Sequence, residues 1–224
     1  MKESSKKSGW LTLLFPSKCL HCQKQGADLC DTCSLLWQPS LRTRHVGELR
    51  VYNAHPYSDV AQSIILAAKE DHSASARFLL AESIWFLIKK NLAYREHPAI
   101  TLLPIPSRPS ANRKRGFWHT EELCREIQRI NRKENYFDSI TVENLLFLRK
   151  NIRDQSQLNL PMRQKNLDRS MSVKSISRIT RITKGVIIMI DDLVTSGSTI
   201  QEAERALRSA GLRPVAAYVA CSSR

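Results

Sequence analysis

The sequence predicts an α/β fold, a parallel sheet flanked by helices, preceded by a small cysteine-based module. Three observations predict it. Short apolar runs alternate with amphipathic stretches along most of the chain. One run, Val186–Ile190, holds five apolar residues in succession, and four of the six cysteines crowd into one short window. With 224 residues there is room for one full domain and a small appendage.

Residues 1–9 are polar and read as a disordered tail, and residues 10–38 as the cysteine module. The segment Trp10–Phe15 follows several lysines, but it is short for the apolar core of a signal peptide. It runs into Pro16 and a cysteine without a small-residue cleavage site, so a soluble, cytoplasmic protein is expected. The cysteines Cys19, Cys22, Cys30 and Cys33 form C-x2-C-x7-C-x2-C. Two intervening residues let one tight turn aim two thiolates at one ion, and two such turns complete a tetrahedral shell. A closed, structural Zn²⁺ site is therefore expected, with metal binding supplying much of the folding energy of the window. Disulfides are the alternative and require an oxidising compartment. His21 lies inside the first turn and is expected to be a bystander.

Residues 39–48 read as a linker, and 49–224 as the main domain. Strands are expected at 49–54, 99–103, 145–148, 186–190 and 215–220, and helices at 58–68, 74–90, 120–132 and 199–210. That alternation predicts a parallel sheet covered by helices. Residues 150–184 are polar and irregular, a length more often functional than idle. Cys124 and Cys221 are expected as buried thiols. No apolar run is long enough to span a bilayer, so no membrane insertion is expected.

The net charge is +14. Between Arg108 and Lys184 there are 18 lysines and arginines against 8 acids. Such an excess points to a polyanionic partner such as nucleic acid, to a phosphorylated small molecule, or simply to a basic solvated surface.

The chemistry concentrates after the apolar strand. Asp191 and Asp192 close it, Thr195-Ser196-Gly197-Ser198-Thr199 follows, and an amphipathic helix begins with Ile200, Ala203 and Leu207 on one face. Hydroxyls and backbone amides at a helix N-terminus make an anion cradle, and Gly197 lets the backbone approach closely. The loop lacks the lysine of a Walker A motif, and no G-x-G-x-x-G occurs. One monophosphate suits it better than a triphosphate or a dinucleotide. Two acids beside it are placed to accept from a vicinal diol, which together suggests a ribose 5-phosphate.

This run resembles the 5-phosphoribosyl 1-pyrophosphate (PRPP) motif of type I phosphoribosyltransferases. The resemblance implies that fold, with Asp191 and Asp192 holding the ribose hydroxyls as the expected catalytic pair. It further implies that Thr195 to Thr199 hold the 5-phosphate, with Mg²⁺ accompanying PRPP. Leu102-Leu-Pro104-Ile-Pro106-Ser107-Arg108 resembles the pyrophosphate loop of these enzymes, making Ser107 and Arg108 ligand candidates. The cysteine module, Arg113-Lys114-Arg115-Gly116-Phe117 and the set Gln157, Arg163 and Asn166 together are similar to the ComF/GntX family of competence-associated proteins. That family has Asn-Gln where this chain has Trp118-His119, and Tyr-x-Gly where it has Glu70-Asp71-His72. Lys69 matches a lysine of the family and is a pyrophosphate candidate.

Arg108, Arg113, Lys114 and Arg115 are candidates to stabilise the leaving pyrophosphate, and Arg113, Lys114 and Arg115 to contact DNA. Two classes stay open. One is a PRPP-binding competence protein that handles single-stranded DNA in the cytoplasm, with other competence proteins as partners. The other is an active transferase with an unidentified small-molecule acceptor.

Overall fold

The computed structural model describes residues 17–92, 99–107, 112–113, 115–148, 170–174 and 185–223. The tail and Trp10–Phe15, Arg108, Lys114, and the set Gln157, Arg163 and Asn166 lie outside the described residues. Thirteen elements follow in order: α1 (Asp31–Leu36), β1 (Arg42–Val46), β2 (Leu49–Pro56), α2 (Asp59–Lys69), α3 (Ala74–Leu92), β3 (Ile100–Pro104), α4 (His119–Glu134), β4 (Ile140–Val142), β5 (Leu146–Leu148), β6 (Met171–Val173), β7 (Val186–Val194), α5 (Ser198–Ser209) and β8 (Ala216–Ser222).

The central sheet runs β1-β2-β8-β7-β3-β4, and every neighbouring pair is parallel except β1 with β2. β7 sits inside, between β8 and β3, as its unbroken apolar run requires for a strand buried on both faces. On one face Ile188 and Ile190 join the apolar residues of α2, α3 and α4. On the other, Ile187 and Met189 meet Ile200, Ala203, Ala206 and Leu207 of α5. Three helices show local start or stop signals. Ser58 accepts the Ala61 amide at the start of α2, Asn135 ends α4 with φ +50°, and Gly211 at φ +80° follows α5. Among the described residues no helix is long and apolar enough to cross a membrane.

Three expectations need correction. The stretch read as a linker contains β1, an edge strand whose residues are mostly exposed and therefore lack apolar alternation. The strand expected at 145–148 is β5, which leaves the central sheet and pairs antiparallel with β6. Its place beside β3 is taken by β4, only three residues long. Finally, β7 does not stop at Ile190 but continues through both acids to Val194. Cys124 and Cys221 are buried, as expected.

The N-terminal module docks on the face that carries α2. Trp37 stacks on His55 of β2 with ring centroids 3.7 Å apart. The Ser83 hydroxyl donates to Leu79 O, so His55 Nε2 must donate to Ser83 Oγ across 2.9 Å. Burial, aided by the charge of Arg42, pulls the His55 imidazole down to about 4 from an ordinary 6.5. The fold therefore requires neutral His55, and its contribution is complete above about pH 6.5. It is lost as pH falls towards 4, because the unfolded chain takes up the proton first. Urea unfolding should show the parent losing about 3 kcal/mol more than His55→Phe over that interval. Parallel pH profiles would contradict this.

Candidate functional site

The cysteine module is built from a tight turn and a helix start. Lys18 bridges to Gln25, the Cys19 amide donates to Lys24 O (2.8 Å), and Cys30 caps α1 with Cys33 in its first turn. The four Sγ atoms all lie within 4.8 Å of one another. Tetrahedral Zn–S bonds of about 2.3 Å require sulfur edges of about 3.8 Å, so the donor set fits zinc. The electrostatics agree. Burial raises the Cys19 thiol, but backbone amides of Cys30, Cys22 and His21 outweigh it and bring it to about 6. Cys33 is pushed up to about 12 by burial and by the neighbouring sulfurs. A thiolate is favoured at Cys19 and opposed at Cys33, and a cation among the sulfurs would relieve that opposition. His21 makes no part of the shell. Its Nδ1 meets Ser63 Oγ of α2 at 3.0 Å.

The second site lies at the edge of the sheet where the parallel strands end, the usual ligand position in such folds. Here β7 delivers Asp191 and Asp192, and successive strand residues face opposite sides of the sheet. Asp192 points to the side of α2 and α4. Its Oδ2 is 2.5 Å from Lys69 Nζ and 3.3 Å from His119 Nε2. Neither ring nitrogen of the fully buried His119 has an aligned hydrogen bond. Burial disfavours the Asp192 charge, but Lys69 first and His119 second hold its carboxyl well below the usual carboxylate range. Lys69 is correspondingly raised: burial lowers it, and the charge of Asp192 more than compensates. Asp191 goes the other way, pushed well up by burial and by Asp192. Its Oδ1 accepts the Asp192 amide (2.9 Å).

The two acids are thus unequal. Asp191 is half-buried and reachable. Asp192, expected with Asp191 to hold the ribose hydroxyls, is covered: its side chain is 4 % exposed, beneath Lys69.

The loop after β7 keeps Thr195 and Ser196 exposed and Ser198 and Thr199 half-buried. Gly197 is the N-cap of α5 with φ +85° and no side-chain cap bond, so the helix presents amides to whatever occupies the loop. Glycine is required twice here. The backbone is left-handed, and a Cβ would lie 2.6 Å from Val46 Cγ2 of β1. Ser196 Oγ and Ser198 Oγ are 2.9 Å apart. Arg44 of β1 donates through Nη1 to Thr195 O (3.1 Å) and Ser222 Oγ (3.2 Å).

On the other side of β7, the Ile105 amide donates to Ile190 O (2.9 Å). This carries half-buried Ser107 along the same edge. Arg115 grips Glu70 through Nε and Nη2 (3.0 and 2.8 Å), whereas Arg113 is exposed. The Phe117 ring lies 4.4 Å from that of His72, a non-glycine residue at φ +54°. Glu70–His72, where the sequence differs from the resembled pattern, therefore packs on Arg115 and Phe117, just before the second difference at Trp118–His119.

Sequence reasoning missed His119 and Arg44. The first had no sequence signal, because its partner Asp192 is remote in the chain; the second sat in the stretch read as a linker. The expectation that Arg115 reaches DNA is weakened by its pairing with Glu70.

Metal analysis of the purified protein should find one zinc per chain. Cys30→Ser should lose it, with a melting temperature several degrees lower. A metal-free protein with an unchanged melt under chelator would refute the site. In comparisons with protein-family models and with curated proteins, nothing matches this chain.

Proposed function

We propose that the protein binds PRPP at this sheet edge, as a phosphoribosyltransferase-like protein of the ComF/GntX type. We further propose that it acts in the cytoplasm in natural competence. The observation that carries the first reading is a single edge gathering three unlike elements. A glycine-capped helix start turns its amides towards a monophosphate, which would displace Ser196 Oγ from the Ser198 amide (3.4 Å). A reachable carboxylate, Asp191, lies beside it. Lys69 lies on the opposite side of β7, with Ser107 along the neighbouring strand end.

PRPP presents these groups in the same order: a 5-phosphate, a vicinal diol and a 1-pyrophosphate. Thr195 to Thr199 hold the phosphate, Asp191 accepts from a ribose hydroxyl, and Lys69 and Ser107 face the pyrophosphate. Mg²⁺ enters as part of the substrate and neutralises the pyrophosphate. In a transferase the bond from ribose C1 to the pyrophosphate oxygen breaks, the electron pair leaves with pyrophosphate, and positive charge develops on the ribose ring. No protein nucleophile is needed. Asp191 would then hold the ring by its hydroxyl while that charge develops.

Calorimetry tests the binding reading. Mg²⁺–PRPP should bind the parent, and Asp191→Ala should weaken binding by about three- to tenfold, the net range of a hydrogen bond. Equal affinities would end the assignment of Asp191. Asp191→Ala is chosen because Asp191 is the more exposed of the two acids.

A second reading, contact with single-stranded DNA, is favoured by the net charge of +14. Most of that charge falls on residues outside the described ones, which hold sixteen lysines and arginines against four acids. Several described bases are neutralised locally, among them Arg125 by Glu121, Arg129 by Glu126 and Lys89 by Glu134. DNA affinity should fall steeply with salt; a flat salt response would reduce the excess to ordinary surface charge.

A further inference from the structure

We propose that Lys69 makes this site selective for a ribose 5-phosphate that carries a 1-pyrophosphate, and against bare ribose 5-phosphate. This inference rests on the PRPP reading and adds to it a specificity residue. Its basis is the cover over Asp192.

Asp192 Oδ2 has Lys69 Nζ at 2.5 Å and His119 Nε2 at 3.3 Å, and its side chain is 4 % exposed. A ribose hydroxyl reaching for this carboxylate finds the access occupied. The two covers differ in their freedom. His119 is completely buried at the start of α4, with Phe117 against its ring. Lys69 is in the last turn of α2, its side chain 22 % exposed, on a flexible four-carbon stem. Lys69 is the cover that can swing away.

It leaves only for another anion, since an ammonium drawn from a buried carboxylate abandons that charge. The phosphate on the Thr195–Thr199 loop cannot take this part, because that loop leads into α5. Lys69 belongs to α2, and the two helices pack on opposite faces of the sheet. A second anionic group is required on the Lys69 side. In PRPP that group is the pyrophosphate on C1. A ligand bearing both anions exchanges the partner of Lys69 and uncovers Asp192 for the diol; a ligand bearing one does not.

The sign of the resulting coupling is diagnostic. Two anions bound side by side should repel and weaken each other. A lysine cover predicts the reverse, with pyrophosphate strengthening the binding of ribose 5-phosphate and, reciprocally, the converse.

The experiment is calorimetry of the full chain with ribose 5-phosphate, with and without saturating inorganic pyrophosphate, all with Mg²⁺. The parent should bind ribose 5-phosphate about tenfold tighter when pyrophosphate is present, a usual size for coupling between sites. Lys69→Met should bind bare ribose 5-phosphate about tenfold tighter than the parent, with the pyrophosphate effect gone. A gain of affinity on deleting a cation is an outcome that general damage does not produce. Should Lys69→Met fail to fold, Asp192→Asn carries the test. It removes the charge that holds Lys69 while keeping the shape, and coupling should vanish there too. Coupling that is absent or negative in the parent, or that survives in either variant, overturns the inference while PRPP binding stands. Failure of PRPP itself to bind the parent overturns both.

Discussion

A carboxylate placed almost wholly out of water at the end of a central strand must find compensation or forfeit its charge. Asp192 finds it in Lys69 and His119. The cost of burying such a group runs to several kcal/mol, so the partners cannot be optional. One belongs to the last turn of α2 and the other to the first turn of α4. The contact therefore ties two helices to the strand between them and fixes the mouth of the sheet edge. It also explains why neighbouring acids behave oppositely: Asp192 is held ionised, and Asp191, deprived of an equal partner, is pushed towards its neutral form.

The rest of the molecule braces this arrangement from both sides. The cysteine module sets His21 against Ser63 on the helix that carries Lys69. Its Trp37 lies in the same apolar cluster as Ile64 and Ile65 of that helix. On the far face, β1 leans Val46 against Gly197 and anchors Arg44 to the loop carbonyl of Thr195. A strand that pairs with only one neighbour thus shapes the turn before α5. Cysteine module and edge strand are separate in sequence from the site, yet each props one wall of it.

What was legible in the sequence follows from how far each signal reaches. β7, α5 and β8 announce themselves by apolar runs and helical spacing, which are local properties. The cysteine spacing is equally local, and the structure gathers those four thiols. β1, β4 and β6 are exposed or three residues long, too little to display a period. The acids and the loop could be read because they sit beside each other in the chain. Their environment could not: the partners of Asp192 come from two distant helices. Hence the pair of acids looked alike on paper and proved unlike in space. Position 72 teaches the same lesson. His72 stands where the resembled pattern has glycine, adopts a left-handed backbone, and rests its ring on Phe117.

In the function proposed here, Lys69 covers a carboxylate that takes a sugar hydroxyl, and a pyrophosphorylated ribose uncovers it. A crystal structure with Mg²⁺–PRPP soaked in looks at this directly. The account predicts phosphate density against the amides of Ser198 and Thr199, a ribose hydroxyl on Asp192, and the Lys69 ammonium moved onto pyrophosphate oxygen. A ligand bound elsewhere, or bound here with Lys69 still against Asp192, would contradict it.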